Sequence, residues 1–367
     1  MASSRRRLCH FVVVFHFLLS WIFHGRLHYD AYWGAGEGAK DDERVSLFSV
    51  DIPEEKSRLK NSITMDLLNL THMLKTFDWV QHQNFLNTFK QYRTEIEGLS
   101  IHFLRVSIPK EAGKDTVPIV LLHGFPGCYW DFYKVIPNLA NPARFGFEFG
   151  VKRTIVFDVI VPSLPGFVFS TKPSKAGEFL LISVLGSEVA AVIGALYPYN
   201  VRGVHVSNPV VHPKFSPQVP FFMIIPVHHE FRISGDALVS SVVGTSSYLM
   251  SVWSFFSSRD PPILPNRLFT LDELATISYL YYLSETTPHA LRIMRNFFDS
   301  YLLQVRVPSA ILQSPDVPWH SSKSICRHRF LNLTSYTKAP KGGVFQHLQD
   351  PNTFAADIFR FVELVLI

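Results

Sequence analysis

Apolar residues crowd the first thirty positions and then settle into two rhythms. Leu8 to Phe23 is an apolar run broken only by Cys9, His10, His16 and Ser20, with Arg5, Arg6 and Arg7 before it. From Lys56 to Phe89 apolar residues recur near a period of 3.6, as in Met65, Leu67, Leu68, Leu70, Met73 and Leu74, which predicts amphipathic helix. Ile119 to Leu122 and Val156 to Val161 are short β-branched runs stopped by Gly or Pro, the pattern of buried parallel strands. Further strands are expected at 201–206, 309–312 and 330–336, and helices at 188–196, 271–283 and 352–366. This alternation predicts an α/β fold with a mostly parallel sheet. The stretch 209–265 lacks clean periodicity and suits an inserted lid.

These rhythms divide the chain into an N-terminal membrane segment (1–30), a linker (31–55), a helical region (56–110), a first core part (111–208), a lid (209–305) and a second core part (306–367). The linker is placed on the small and charged run Gly34 to Glu43. The 16 residues of Leu8 to Phe23 fall short of the roughly 20 that span a hydrocarbon core and match a signal-peptide core of about 7 to 15. The flank His24 to Asp30 lacks the paired small residues of a cleavage site, which favours an uncleaved single anchor. Arg26, His24 and His28 blunt the charge asymmetry, so orientation stays open. Asn69-Leu70-Thr71 and Asn332-Leu333-Thr334 are glycosylation acceptors only if the body is lumenal.

Composition removes several classes of function. With 35 basic and 30 acidic residues the net charge is +5, and at 18% charged and 14% aromatic the chain is neither disordered nor a charge-driven nucleic-acid binder. The 32 phenylalanines fit extensive aromatic packing, a membrane-apposed surface, or both, and favour a lipophilic small-molecule partner. Cys9, Cys128 and Cys326 form no CxxC pair and no disulfide framework. His228-His229-Glu230 has no third ligand at helical spacing, and no P-loop or GxGxxG opens a helix, so neither a metal nor a cofactor is expected.

Two loops carry the candidate chemistry. His123-Gly124-Phe125-Pro126-Gly127 follows an apolar strand, where a Gly-rich turn can aim backbone N–H groups at a developing oxyanion. Pro162-Ser163-Leu164-Pro165-Gly166-Phe167-Val168-Phe169-Ser170 follows the next strand. Together they resemble the HG[WF]PG and PS[IL]PG[YF]xFS segments of the epoxide hydrolases. Tyr32-Trp33-Gly34-Ala35-Gly36 and Ile96-Glu97-Gly98-Leu99-Ser100-Ile101-His102-Phe103 are similar to the microsomal and juvenile-hormone branch of that family. The resemblance covers most of the chain from residue 30 onward and is weakest in 209–265. It implies an α/β-hydrolase fold at the endoplasmic reticulum membrane that opens lipophilic epoxides to diols without a cofactor. An Asp forms an ester, two lid tyrosines donate protons, and a His backed by an acid cleaves the ester. It also implies an oxyanion hole at His123, Gly124, Phe125 and Pro126.

The sequence departs from that pattern at the residues that react. The family's elbow, roughly Gly-Gly-Asp-Trp-Gly-Ser, is met here by Ser183-Val184-Leu185-Gly186-Ser187, so the nucleophile position falls on Val184. The base of the family's Gly-Gly-His-Phe site falls on Val344, with His347 a candidate substitute three residues on. Asp316, after Val307-Pro308, is the candidate orienting acid. The lid acid position falls on Phe298, which has no hydroxyl. Only 15 residues separate Ser170 from Gly186, too few for the usual crossover helix plus a strand, so the sheet is expected to lack a crossover helix and a strand or to be rewired. The chain also looks shortened before Phe77. Two functions stay open: epoxide hydrolysis from a rewired site, or a non-catalytic lipid-binding or scaffold protein, including a shortened inactive form.

Overall fold

The computed structural model describes residues 42–53, 74–107, 109, 114–145, 155–172, 186–211, 241–257, 268–291 and 303–366. The apolar run at 8–23 and the rest of the expected membrane segment lie outside them. So do Val184, Phe298, the His228-His229-Glu230 cluster and much of the predicted 56–89 helix. Among the described residues no helix is long and apolar enough to cross a membrane.

The first sheet is built from β1 (Asp42–Phe48), β2 (Gln91–Ile96), β3 (Leu99–Val106), β4 (Asp115–Val120) and β5 (Ile155–Pro162), in the order β1-β2-β3-β5-β4. The expected linker therefore contains an edge strand. The expected helical region at 56–110 contains a hairpin, with helix α1 (Trp79–Leu86) before it. The hairpin forms because Glu97 (φ 53°) and Gly98 (φ 75°) supply the two left-handed residues of a tight turn whose twist matches the strands. Alternation in β2 and β3 is blurred by half-burial on both faces, and that conceals them from a reading by period.

A second, three-stranded sheet runs β6 (Val204–Ser207), β7 (Ser309–Gln313) and β8 (Leu333–Lys338), all parallel. Across both sheets β1–β2, β2–β3 and β3–β5 pair antiparallel, while β4–β5, β6–β7 and β7–β8 pair parallel. Among the described residues a mixed sheet thus stands beside a parallel one, within the expected α/β fold. There β4 is an end strand of the first sheet and β6 of the second, and the residues expected to be interrupted before Gly186 lie outside the described ones.

Helices α2 (Ile136–Ala140), α3 (Gly186–Leu196) and α8 (Pro351–Leu366) pack on the strands, with α6 (Lys323–Cys326) and α7 (Gln346–Gln349) between them. Asp350 starts α8 by accepting from the N–H and hydroxyl of Thr353 at 3.2 and 3.0 Å. Helix α4 (Val242–Ser257) occupies the stretch that showed no clean period, because buried residues surround most of its circumference and leave no polar stripe. Helix α5 (Leu271–Leu283) opens with a capping box: the Glu273 N–H donates to Thr270 Oγ at 3.2 Å, and the Thr270 N–H donates to Glu273 Oε2 at 2.8 Å. Glu273 also takes Lys134 at 2.6 Å and the Tyr133 hydroxyl at 2.9 Å, which pins α5 to the segment after the His123 loop. A buried cluster including Trp253, Phe157, Tyr281 and Phe359 joins the first sheet, α4, α5 and α8.

Candidate active site

The His123–Gly127 loop leaves β4 at its carboxyl end, where parallel strands present ligand sites. It is fixed from several directions. His123 is buried and its Nε2 accepts from the Leu164 N–H at 3.0 Å, joining this loop to the Pro162–Ser170 loop. Burial lowers the His123 pKa to about 4, so the ring is neutral at pH 7 and the accepting lone pair is available. From above, Trp253 of α4 donates to the Pro126 carbonyl at 3.3 Å and Tyr281 of α5 donates to the Gly127 carbonyl at 2.6 Å. Tyr281 is buried with its hydroxyl committed to backbone, and burial holds its pKa well above the ordinary tyrosine value.

The second loop is a scaffold. His102 on β3 is buried, and Gln91 Oε1 lies 2.8 Å from Nε2 while Ser163 Oγ lies 2.8 Å from Nδ1. Gln91 spends its amide N–H on the Leu86 carbonyl, so its oxygen accepts from the imidazole and Ser163 donates to Nδ1. Ser170 accepts from the His102 N–H at 2.9 Å and donates to the Ser163 carbonyl at 2.7 Å. Burial lowers the His102 pKa to about 3, consistent with a neutral ring inside this network. The serines of this loop are explained by that network.

Between the His123 loop and the ends of α3 and α8 lies a cavity of about 910 Å³. Its carboxyl end is lined by Gly124, Phe125, Asp131, Ser187, Val344 and His347. Gly186 is required at this end, because a Cβ there would sit 1.8 Å from the Leu122 carbonyl oxygen.

The sequence-predicted residues distribute as follows. His123, Gly124, Phe125 and Pro126 stand together, with Gly124 and Phe125 in the cavity wall. Val344 lines the same wall, and its N–H donates to the Phe256 carbonyl at 3.0 Å, which fixes its backbone there. His347 also lines it, its ring tilted at 31° against that of Phe132 with centroids 4.5 Å apart. Asp316 does not reach His347 by hydrogen bond or ion pair. Its Oδ2 accepts from the Gly342 N–H at 3.3 Å, and its own N–H donates to the Gly342 carbonyl at 3.0 Å. Asp316 thus shapes the loop that carries Val344, where Gly342 takes φ 101°.

The carboxylate beside His347 is Asp131, whose Oδ2 lies 3.9 Å from Nε2. Asp131 is buried, accepts from the Cys128 N–H at 3.0 Å, and has its pKa raised by that burial. Reading the sequence for motifs missed Asp131; the available signal was a lone carboxylate in Tyr129-Trp130-Asp131-Phe132, an otherwise aromatic start of a turn. The arrangement supplies an imidazole near a carboxylate and a rigid Gly-rich loop. Asn208 braces this end: its side chain accepts from the Ser314 N–H at 2.7 Å and donates to the Gly343 carbonyl at 3.2 Å. Among the described residues no group of His, Cys, Asp and Glu is arranged to hold a metal ion.

Comparison with known proteins agrees with this geometry. The family model of the epoxide hydrolase N terminus matches residues 45–132, and that of the alpha/beta hydrolase fold matches residues 117–185. Epoxide hydrolase 1 of Sus scrofa is 27% identical, with 92% of this chain and 93% of that protein covered. Juvenile hormone epoxide hydrolase 2 of Ctenocephalides felis is 24% identical over 91% of this chain and 89% of that protein. The crystal structure of juvenile hormone epoxide hydrolase from Bombyx mori superposes with a TM-score of 0.75 at 21% identity, covering 91% of this chain and 98% of that one. The Sus scrofa alignment is 428 positions long against 367 residues, so internal gaps fall on this chain's side.

Proposed function

For a chain that is a homologue of the epoxide hydrolases and carries the α/β-hydrolase fold, we propose that it binds lipophilic epoxides at the carboxyl end of the cavity, against the His123–Gly127 loop, and does not turn them over through an ester. The observation that carries this is Val344. Its side chain lines the cavity and its backbone is fixed to Phe256, where the family's pattern has the base. Val184 in the nucleophile position supports the same reading from sequence, since an aliphatic group can neither attack carbon nor activate water. What remains is recognition: a rigid loop, a neutral His123 behind it, and apolar walls suited to an uncharged ligand. Attachment to the endoplasmic reticulum membrane through Leu8 to Phe23 belongs to the same proposal, and resistance to alkaline extraction from membranes, lost on deleting residues 1–30, is its test.

The His347–Asp131 pair favours a second reading, direct general-base hydrolysis in which His347 activates water and Asp131 stabilises the imidazolium. One experiment separates the two. Purified protein is incubated with a radiolabelled lipophilic epoxide in single turnover, followed by binding measurement and mass spectrometry of product and protein. Binding without diol and without adduct is the expected result. Diol without adduct, abolished by His347→Ala, would support the second reading. An ester on the protein would overturn both.

A further inference from the structure

Positive charge gathers at one end of the second sheet. Between Asp299 and Asp350 the chain carries a single acid, Asp316, against six cations: Arg306, Lys323, Arg327, Arg329, Lys338 and Lys341. The parallel strands β6, β7 and β8 begin level, with Val204 paired to Ser309 and Ser309 to Leu333, so the segments that lead into them lie side by side. The Val204 N–H donates to the Pro308 carbonyl at 2.9 Å, the Leu331 N–H to the Val305 carbonyl at 2.8 Å, and Gln304 Nε2 to the His328 carbonyl at 3.3 Å. These bonds bring Arg202, Arg306, Arg327 and His328, all exposed, to the amino-terminal edge of one sheet whose strands are about 5 Å apart. Asp316 sits at the other end on the Gly342 loop, and Arg329 turns inward onto Glu188.

The same edge exposes apolar surface. Tyr197 and Tyr199, between α3 and β6, are 44% and 101% exposed, and Leu331, just before β8, is 49% exposed. The last turns of α8 adjoin this edge, since a Cβ on Gly203 would meet Phe361 Cζ at 2.7 Å, and they add the exposed Leu364. Glu363, the acid beside Leu364, is already engaged. Exposed apolar residues scattered singly are ordinary, but tyrosines and leucine set among arginines are the composition of a surface that settles at the headgroup level of a bilayer. There the ring enters the interface, and the guanidinium meets phosphate and carboxylate. A nucleic acid would use the charges and leave Leu331 idle, and three arginines neutralise too few phosphates to hold it firmly.

We propose that this edge docks on an anionic lipid surface, with Arg202, Arg306 and Arg327 on the headgroups and Tyr197, Tyr199 and Leu331 in the interface. Neither the expected anchor at Leu8 to Phe23 nor epoxide binding is needed for this contact. An apolar segment enters neutral and anionic bilayers alike, whereas the arginine edge responds to lipid charge. Docking also sets a posture. Asn208 and Ser314, which brace the candidate site, lie at the carboxyl ends of β6 and β7, so the docked edge leaves that site facing away from the lipid.

Hydroxyl-radical footprinting of the full-length protein, on phosphatidylcholine vesicles with and without phosphatidylserine, reads side-chain exposure directly. Tyr197 and Tyr199 are expected to lose several-fold in oxidation on the anionic vesicles only and to regain it in high salt. Phe255 of α4, 45% exposed, is expected to oxidise equally on both. Each arginine contributes roughly fivefold to occupancy of an anionic surface, so Arg306→Gln with Arg327→Gln is expected to cut the ratio of docked to undocked edge roughly 25-fold. Both side chains are exposed, and an unchanged urea midpoint certifies the fold of the variant. Equal oxidation of the tyrosines on both kinds of vesicle, or protection that the double variant keeps, would overturn the proposal. Equal protection by polyuridylate without lipid would assign the edge to nucleic acid and overturn it as well.

Discussion

Arg329→Met isolates the contact that anchors the first turn of α3, and hence the Gly186–Ser187 end of the cavity. Arg329 Nη1 donates to Glu188 Oε1 at 2.6 Å and Nη2 lies 2.5 Å from Oε2. The two side chains are 3% and 5% exposed. Removing the guanidinium strands a carboxylate in the interior, which costs about 3–5 kcal/mol. Glu188 lies in the first turn of α3, whose N-terminal N–H groups offset about 1 kcal/mol of that penalty. The net expectation is a loss of about 2–4 kcal/mol, a large part of an ordinary domain's 5–15 kcal/mol. Replacing both residues, Arg329→Met with Glu188→Met, removes the stranded charge and is expected to recover most of the loss. Urea unfolding measures it: the single variant lowers the midpoint at unchanged slope, and the double variant restores it. A single variant within 1 kcal/mol of the unmodified protein, or a double variant worse than the single, would refute the reasoning.

Tyr281→Phe removes the 2.6 Å bond to the Gly127 carbonyl and leaves a buried acceptor unpaired, for a loss of about 1–3 kcal/mol in urea melts and weaker epoxide binding as the loop loosens. Stability should fall as pH drops from about 6.5, because His102 and His123 have folded pKa values of about 3 and about 4 and the unfolded chain binds the extra protons; each costs up to about 1.4 kcal/mol per pH unit in that window. An acid limb in urea titrations no shallower for His102→Gln than for the unmodified chain would contradict this. If 184 and 344 are the reactive positions, Val184→Asp alone is expected to accumulate an ester at residue 184 by mass spectrometry, Val344→His alone none, and the two together to release diol.

The sequence determined the strands and helices whose periods are set by one burial environment. Val156 to Val161 reads as a buried strand because it is covered on both faces, and 271–283 reads as a helix to the residue because Thr270 and Glu273 cap it locally. It also determined the family resemblance, the two loops at the strand ends, the aliphatic residues at 184 and 344, and the shortfall before Gly186, because each is a local identity or a count of residues. Tertiary structure alone decided where partners come from. The strands flanking the turn at 96–99 are not legible by period, since half-buried faces erase alternation. Asp316, the expected orienting acid, bonds the Gly342 loop, and Asp131, 216 positions before His347, lies beside that imidazole. No sequence distance encodes that approach, because it depends on how α7 packs against the turn at Tyr129–Phe132.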